Sequence, residues 1–286
     1  MTRLQTHGLF FETETFGDPA NPAMLMIRGL GSQLIDWPKT LIDGFVTSGL
    51  FVVAFDNRDA GLSQKLTAPE AQAYDMAYMA KDCLDILDAL GIEGAHVFGI
   101  SMGGLIVQHL LAQSSDRLLT ATIVMSSIAD ASLQECLGSD IPLDPPKPTE
   151  DVEALMAEAL EADAFYEGPA FPIPMARRAE NVRQRFERSY CPEGQARQMR
   201  AIGRSNLDPD ALADVHIPTL VINGDHDVIF PPEQGDKIAR AMPNADFLLI
   251  PGMGHEISDD LGVLIAGHVA NHIQANSVEG AYVATH

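Results

Sequence analysis

The segment AHVFGISMG, residues 95–103, is the most informative part of the chain. It begins with an apolar run typical of a buried strand and ends in the pattern G-x-S-x-G, with Ser101 at its centre. Residues 104–113 then favour a helix. A strand, a sharp turn and a helix in this order are the context of a nucleophile elbow. We expect Gly99 and Gly103 to be required, because side chains there would collide with neighbouring backbone while the serine is held in a strained conformation.

Two later segments supply the partners that a serine nucleophile needs. A serine hydroxyl reacts well only when a base accepts its proton and a third group orients that base. The apolar run at 217–222 predicts a strand that leads into the loop NGDHD at 223–227. The run at 245–250 predicts another strand, which leads into PGMGH and ends at His255. Both loops follow the carboxyl ends of predicted strands, where open parallel sheets carry their chemistry.

His255 is the predicted general base, and Asp227 is the predicted acid. Among the nine histidines, only His255 combines a glycine-rich loop, a preceding strand and the chain order serine, acid, histidine. Asp227 stands between Gly224 and Pro231 in a G-x-x-D-x-x-x-P spacing. Asp225 is the alternative acid, but its position favours bracing the loop through hydrogen bonds to the backbone.

Over nearly its full length the chain resembles the α/β-hydrolase superfamily. The matching segments are residues 23–31, 51–63, 96–104, 218–231 and 251–255. Within the superfamily it resembles the subgroup of anthracycline methylesterases, and serine esterases that open macrolide lactones are similar in these segments. The closer likeness lies in the phrases GDPANPA, FDNRDAGLS and PGMGH, which begin at residues 17, 55 and 251.

The resemblance implies a mostly parallel, doubly wound α/β sheet with an inserted helical cap. It also implies a serine carboxylesterase that cleaves a small-molecule ester or lactone through an acyl-enzyme on Ser101. The backbone N–H groups of Leu30 and Met102 are the implied oxyanion hole. No metal or organic cofactor is expected, since the histidine pair His268 and His272 has no third ligand suggested by the sequence.

One position departs from the superfamily pattern. The loop after the strand at 24–27 usually reads His-Gly, whereas this chain has Arg28 before Gly29. Backbone N–H groups build an oxyanion hole, so the loss of that histidine need not disable it. Arg28 either stiffens the loop by pairing with a carboxylate or lines the substrate pocket. Trp37 is a second candidate for the pocket wall.

Alternating strands and helices predict one core made of residues 1–127 and 216–286. We expect residues 9–16 to form an antiparallel edge strand. Between 128 and 215 the rhythm changes, which predicts a helical cap inserted between two strands. Its features are four prolines at 142–148, an acidic helix from 150 to about 164 and an arginine-rich helical region.

Eight of the chain's arginines lie between Arg177 and Arg204. One interpretation is that they pair with acidic side chains on solvated faces, where such pairs contribute little. The other is that one or two of them face the pocket and steer an anionic group of the substrate.

Composition narrows the function classes. The net charge of −22 comes from 40 acidic and 18 basic residues, which disfavours nucleic acid and anionic membrane surfaces as partners. No signal peptide and no apolar run of membrane-spanning length stands out, so a cytoplasmic enzyme is expected. Three cysteines give no disulfide framework, and Cys83 is predicted to lie in the core.

Three function hypotheses remain at this level. The first is ester or lactone hydrolysis. The second is another reaction on the same scaffold, either cofactor-free perhydrolase or haloperoxidase-like chemistry or the cleavage of amide or C–C bonds. The third is a small-molecule sensor without catalytic activity. Halide-releasing and epoxide-opening relatives carry an aspartate at the elbow, so Ser101 argues against both.

Overall fold

An eight-stranded sheet forms the centre of the structure, a computed structural model that describes residues 1–6, 8–68, 73–130, 133 and 152–283. The strands are β1 (Thr2–Gln5), β2 (Phe10–Phe16), β3 (Ala23–Ile27), β4 (Phe51–Phe55), β5 (Ala95–Ile100), β6 (Leu118–Val124), β7 (Thr219–Gly224) and β8 (Ala245–Ile250). Their order across the sheet is β1-β2-β4-β3-β5-β6-β7-β8. From β4 to β8 all neighbours pair in parallel. The predicted mostly parallel sheet is confirmed.

The antiparallel end of the sheet differs from the prediction. Residues 9–16 were expected to form the edge strand, but β1 pairs antiparallel with β2 and occupies the edge itself. The prediction was wrong because β1 is short and mostly exposed. It therefore carries no alternation of apolar and polar residues from which a strand could be predicted.

Helices cover both faces of the sheet. They are α1 (Lys39–Thr47), α2 (Met76–Ala89), α3 (Met102–Gln113), α4 (Val152–Phe165), α5 (Met175–Arg188), α6 (Pro192–Arg204), α7 (Pro232–Arg240) and α8 (Asp259–Val283). Apolar residues of α1 and α8 share one core cluster with one face of the sheet, and those of α2, α3 and α7 share the other. Cys83 is fully buried in the second cluster, as predicted. Two covered faces explain why the central strands β3 and β5 are buried along their whole length.

Helices α4, α5 and α6 lie between β6 and β7 in the chain, where the sequence predicts an inserted helical segment. The acidic helix predicted from residue 150 is α4, which begins at Val152. The proline-rich stretch at 142–148 lies outside the described residues. The division into a core and a cap over residues 128–215 stays a prediction.

Three arginines of the inserted helices are largely buried and form ion pairs, so the interpretation that places the arginines on solvated faces is wrong for these three. Arg188 pairs with Asp56 at 2.7 Å and Arg197 with Asp59 at 2.7 Å, and both carboxylates are on the core loop after β4. Arg178 is 2% exposed and pairs with two glutamates. Folding brings the inserted helices against that loop, so Arg188 and Arg197 lose solvent and bind its carboxylates.

Removing one partner of the pair Arg197–Asp59 is expected to destabilise the fold much more than removing one partner of an exposed pair. The side chains of Arg197 and Asp59 are 8% and 0% exposed, and removing one partner leaves a buried charge, which costs about 3–5 kcal/mol. Arg197→Met should therefore lower the free energy of unfolding by roughly that amount. Arg240→Met is the matched control, because its pair with Asp236 is 77% and 42% exposed and such pairs contribute about 0–1 kcal/mol. Urea unfolding measures both, and equal effects would contradict the expectation.

Candidate active site

Ser101 lies at the turn between β5 and α3, in a backbone conformation rare for a residue with a side chain. Its φ and ψ are 53° and −121°, in the strained region typical of functional turns. A Cβ atom on Gly99 would overlap the carbonyl oxygen of Gly103, and one on Gly103 would overlap that of Ile27. Glycine is therefore required at both positions, as the sequence predicts.

His255 lies within hydrogen-bond distance of the serine hydroxyl. Its Nε2 atom is 3.0 Å from Ser101 Oγ. The loop after β8 carries the histidine there, and the N–H of His255 donates to the carbonyl oxygen of Tyr166 at 2.8 Å. The rings of Tyr166 and Phe230 meet the imidazole edge to face, with centroids at 6.1 and 5.7 Å. These contacts fix the plane in which His255 faces Ser101.

Asp227, and not Asp225, lies against the histidine. Its Oδ2 and Oδ1 atoms are 2.8 and 3.0 Å from His255 Nδ1. The carboxylate is fully buried, and its Oδ1 also accepts from the N–H groups of Ile229 and Phe230 at 2.8 and 2.9 Å. Asp225 is exposed and accepts from the N–H of Gly252 at 2.6 Å, which ties the two loops together.

The loop after β3 runs directly beside the serine. A Cβ atom on Gly29 would lie 3.2 Å from Ser101 Cβ, and Leu30 and Met102 both line the cavity above the hydroxyl. Met102 is the first residue of α3, so its N–H has no acceptor within the helix. The two residues predicted to supply the oxyanion donors thus both line the cavity at Ser101, and their role as donors stays a prediction.

Two glutamines that sequence reasoning missed hold this loop. Gln198 on α6 is fully buried; its Oε1 accepts from the N–H of Gly31 at 2.8 Å, and its Nε2 donates to the carbonyl oxygen of Arg58 at 2.7 Å. Gln33 donates to the carbonyl oxygens of Arg185 and Ser189 at the end of α5. Each bond joins residues more than 130 positions apart, so no local pattern announces it.

A cavity of about 510 Å³ opens onto the serine. Its floor is the elbow and the loop after β3, and helices α4, α5 and α6 contribute the opposite wall. The apolar lining includes Leu105, Met125, Leu155, Phe186, Met199, Ile202, Ile229 and Phe230. A cleft that combines apolar walls with convergent polar groups is typical of a small-molecule site.

Arg28 lines this cavity, whereas Trp37 does not. The guanidinium carbon of Arg28 lies 4.5 Å from the centroid of the Trp37 ring, a cation–π contact. Trp37 is 5% exposed and packs against Phe98 at a ring distance of 5.7 Å. The prediction that Trp37 forms the pocket wall is thus corrected. The indole lies behind the wall and supports Arg28 from below.

Further charged groups line the cavity beside Arg28. Arg185 on α5 faces it and pairs with Asp163 and Asp36. Glu256 follows the histidine and pairs with Arg178 at 2.9 Å. Burial raises the pKa of Glu256 to about 7, although the guanidinium of Arg178 acts in the opposite direction. One inserted arginine, Arg185, thus lines the pocket, as the second interpretation predicts, and also pairs with the acidic helix, as the first predicts; the steering of an anionic group stays a prediction.

The described part of the chain shows neither a metal-binding cluster nor a membrane-spanning helix. No group of three or more His, Cys, Asp or Glu side chains there is arranged to hold a metal ion. His272, half of the histidine pair on α8, is buried, and burial lowers its pKa. None of the described helices is both long and apolar enough to cross a membrane.

The fold and the arrangement of the site are those of a hydrolase-type protein, and similarity to known proteins supports this class. The family model of the alpha/beta hydrolase fold matches residues 22–260. The chain belongs to that family.

The chain is similar to two curated methylesterases. It is 26% identical over 289 residues to rhodomycin D methylesterase DnrP of Streptomyces peucetius, covering 93% of this chain and 95% of the relative. It is 25% identical over 293 residues to DauP of a Streptomyces strain, with the same coverage. The resemblance to anthracycline methylesterases is thus confirmed. Among solved structures, an enol-lactonase from Burkholderia xenovorans shares the fold at a TM-score of 0.77 and 23% identity, covering 96% of this chain and all of that one.

Proposed function

We propose that this protein is a serine hydrolase that cleaves a carboxylic ester or lactone of a small molecule, with Ser101, His255 and Asp227 as its catalytic triad. The observation that carries the proposal is the continuous line of contacts from Ser101 Oγ to His255 and on to the buried Asp227 carboxylate. A nucleophile, a base and a group that orients the base are what acyl transfer requires. The similarity to two methylesterases supports the same reaction.

In this proposal each group has one role. His255 Nε2 accepts the proton of Ser101 Oγ while Oγ forms a bond to the ester carbonyl carbon. The carbonyl oxygen becomes an oxyanion, which the N–H groups of Leu30 and Met102 stabilise. The C–O bond to the alcohol then breaks, and His255 returns the proton to the departing oxygen. Water, activated by the same histidine, hydrolyses the acyl-enzyme. The Asp227 carboxylate keeps the N–H of the imidazole at Nδ1 and balances the imidazolium charge.

Helices α4 to α6 act in this proposal as a cap over the site. They supply 11 of the 29 described residues that line the cavity, including Leu155, Phe186 and Met199. The volume of about 510 Å³ lies within the range of about 300–1,000 Å³ usual for small-molecule pockets. A water-poor site strengthens the electrostatic stabilisation of an oxyanion. We therefore place the substrate's apolar part against the inserted helices.

Hydrolysis of a short 4-nitrophenyl ester, followed by release of nitrophenolate, tests the proposal directly. The alternative of perhydrolase chemistry uses the same acyl-enzyme, with hydrogen peroxide replacing water in its breakdown. Peracid formation from acetate and peroxide measures that reaction. Ester turnover without peracid supports hydrolysis as the main activity, and peracid without ester turnover contradicts it. Binding of a small molecule with neither reaction would favour the sensor hypothesis.

Activity should survive EDTA and should be abolished by a serine-directed phosphonate. The proposed cycle uses only side chains and backbone N–H groups, so chelation removes nothing that it needs. The phosphonate should increase the mass of the peptide that contains Ser101 by that of one phosphonyl group. Ser126 and Ser127, on the next strand's loop, serve as internal controls and should stay unmodified. Loss of activity in EDTA and its return with zinc would overturn the serine mechanism.

A further inference from the structure

Arg28 is a cation in the cavity whose hydrogen-bonding capacity is unused. Within the described part of the chain, every carboxylate oxygen is more than 4.0 Å from the guanidinium nitrogens of Arg28, which is too far for an ion pair. Its Nε is buried and has no hydrogen-bond acceptor there. Burial lowers the pKa of Arg28 to about 10, so the group stays protonated at neutral pH. A buried guanidinium without an acceptor is costly unless something else binds it.

The nearby carboxylates are already occupied by other arginines. Asp36 and Asp163 contact Arg185, and Glu256 contacts Arg178. They lower the cost of burying Arg28 at longer range, but they do not contact it. The Trp37 ring supports one side of Arg28. The structure therefore holds Arg28 in place without satisfying its N–H groups.

We propose that Arg28 is the binding site for a carboxylate carried by the substrate, so that the natural substrate is an anionic ester. The inference rests on the proposed function, since it specifies the substrate of the same cavity. Arg28 directly precedes Gly29, which adjoins Ser101, and stands two residues before Leu30. Arg28 and Ser101 also line the same cavity of about 510 Å³, so one small molecule can present a carboxylate to the first and an ester to the second.

The chemistry favours a carboxylate over a neutral group. A guanidinium presents parallel N–H donors that match a carboxylate's two oxygens, and such charge-assisted pairs are about twice as strong as neutral ones. The overall net charge of −22 repels anions at long range. A preference for an anionic ester must therefore come from a local cation in the pocket.

Competition against 4-nitrophenyl acetate hydrolysis tests the inference at constant ionic strength. The competitors are monomethyl succinate, glutarate and adipate, each paired with the uncharged methyl ester of the fatty acid of equal length. In the wild-type protein at least one anionic ester should have an inhibition constant about 10- to 100-fold below that of its uncharged partner, the range of a hydrogen bond to a charged group. Arg28→Met should abolish that preference, and Arg28→Lys should keep part of it.

Arg177→Met is the matched control, because Arg177 is exposed on α5 and outside the cavity. It removes the same charge and should keep the full preference. No preference in the wild-type protein, or a preference that survives Arg28→Met, would overturn the inference while ester hydrolysis still stands. Absence of 4-nitrophenyl acetate hydrolysis would instead contradict the proposed function. If Arg28→Met does not fold, the inference is still tested by the preference of the wild-type protein and by the preference that Arg28→Lys keeps.

Discussion

Ser101→Ala is expected to lower ester hydrolysis by about 10⁴- to 10⁶-fold, because the members of a triad act as a unit and the loss of one removes most of their shared effect. The substitution deletes the atom that contacts His255 at 3.0 Å. It leaves the fold intact, since the positive φ of residue 101 is set by the surrounding strand and helix. Initial rates with a 4-nitrophenyl ester and an unchanged circular dichroism spectrum measure the two effects separately.

Ser114→Ala provides the control for Ser101→Ala. Ser114 follows the last residue of α3, the helix whose N-cap is Ser101, and it lies outside the cavity. The control should keep wild-type turnover. If purified Ser101→Ala hydrolyses the ester at the wild-type rate, the proposal of an acyl-enzyme on Ser101 is wrong. The roles proposed for His255 and Asp227 are then wrong as well.

Asp227→Asn is expected to cost on the order of 10⁴-fold in turnover. The carboxylate accepts from His255 Nδ1 and from two backbone N–H groups, so it holds the imidazole with Nε2 free to accept the serine proton. An amide can donate to Nδ1, which stabilises the wrong tautomer, and it cannot balance the imidazolium. The measurement is kcat with the substrate used for Ser101→Ala.

Asp225→Asn is the matched control, with the same substitution two residues earlier in the same loop. The Asp225 side chain is 39% exposed and contacts His226 and the N–H of Gly252, none of which touches the proposed reacting atoms. We expect a far smaller loss of turnover. A larger loss for Asp225→Asn than for Asp227→Asn would mean that Asp225 is the acid and that the assignment of Asp227 is wrong.

Much of the site could be predicted from the sequence because its parts are local. The elbow requires glycines at fixed offsets from Ser101, and their steric reason acts within a few residues of the chain. Asp227 and His255 each follow a buried strand, and parallel strands end at one edge of a sheet. A correct strand assignment therefore already predicted that these three residues meet. Their catalytic roles stay predictions that the variants above test.

The contacts around the site depended on the tertiary structure. Trp37 was assigned to the pocket wall, yet the packing of α1 and Phe98 places it behind Arg28. Neither interpretation of the arginine-rich segment, on solvated faces or in the pocket, fits Arg188 and Arg197, which pair with carboxylates of the loop after β4.

The sequence by itself determined the fold class and the chain order of serine, acid and histidine, because strand periodicity, turn glycines and loop spacings act over short distances. Only the tertiary structure decided what surrounds them: the edge position of β1, the hold of Gln198 on Gly31 and the unpaired state of Arg28 within the described residues. Each of these depends on which distant segments become neighbours. Burial in the folded chain then decides the state of each charged or amide side chain. It is exposed to solvent, hydrogen-bonded to a partner, or left without a partner in the pocket.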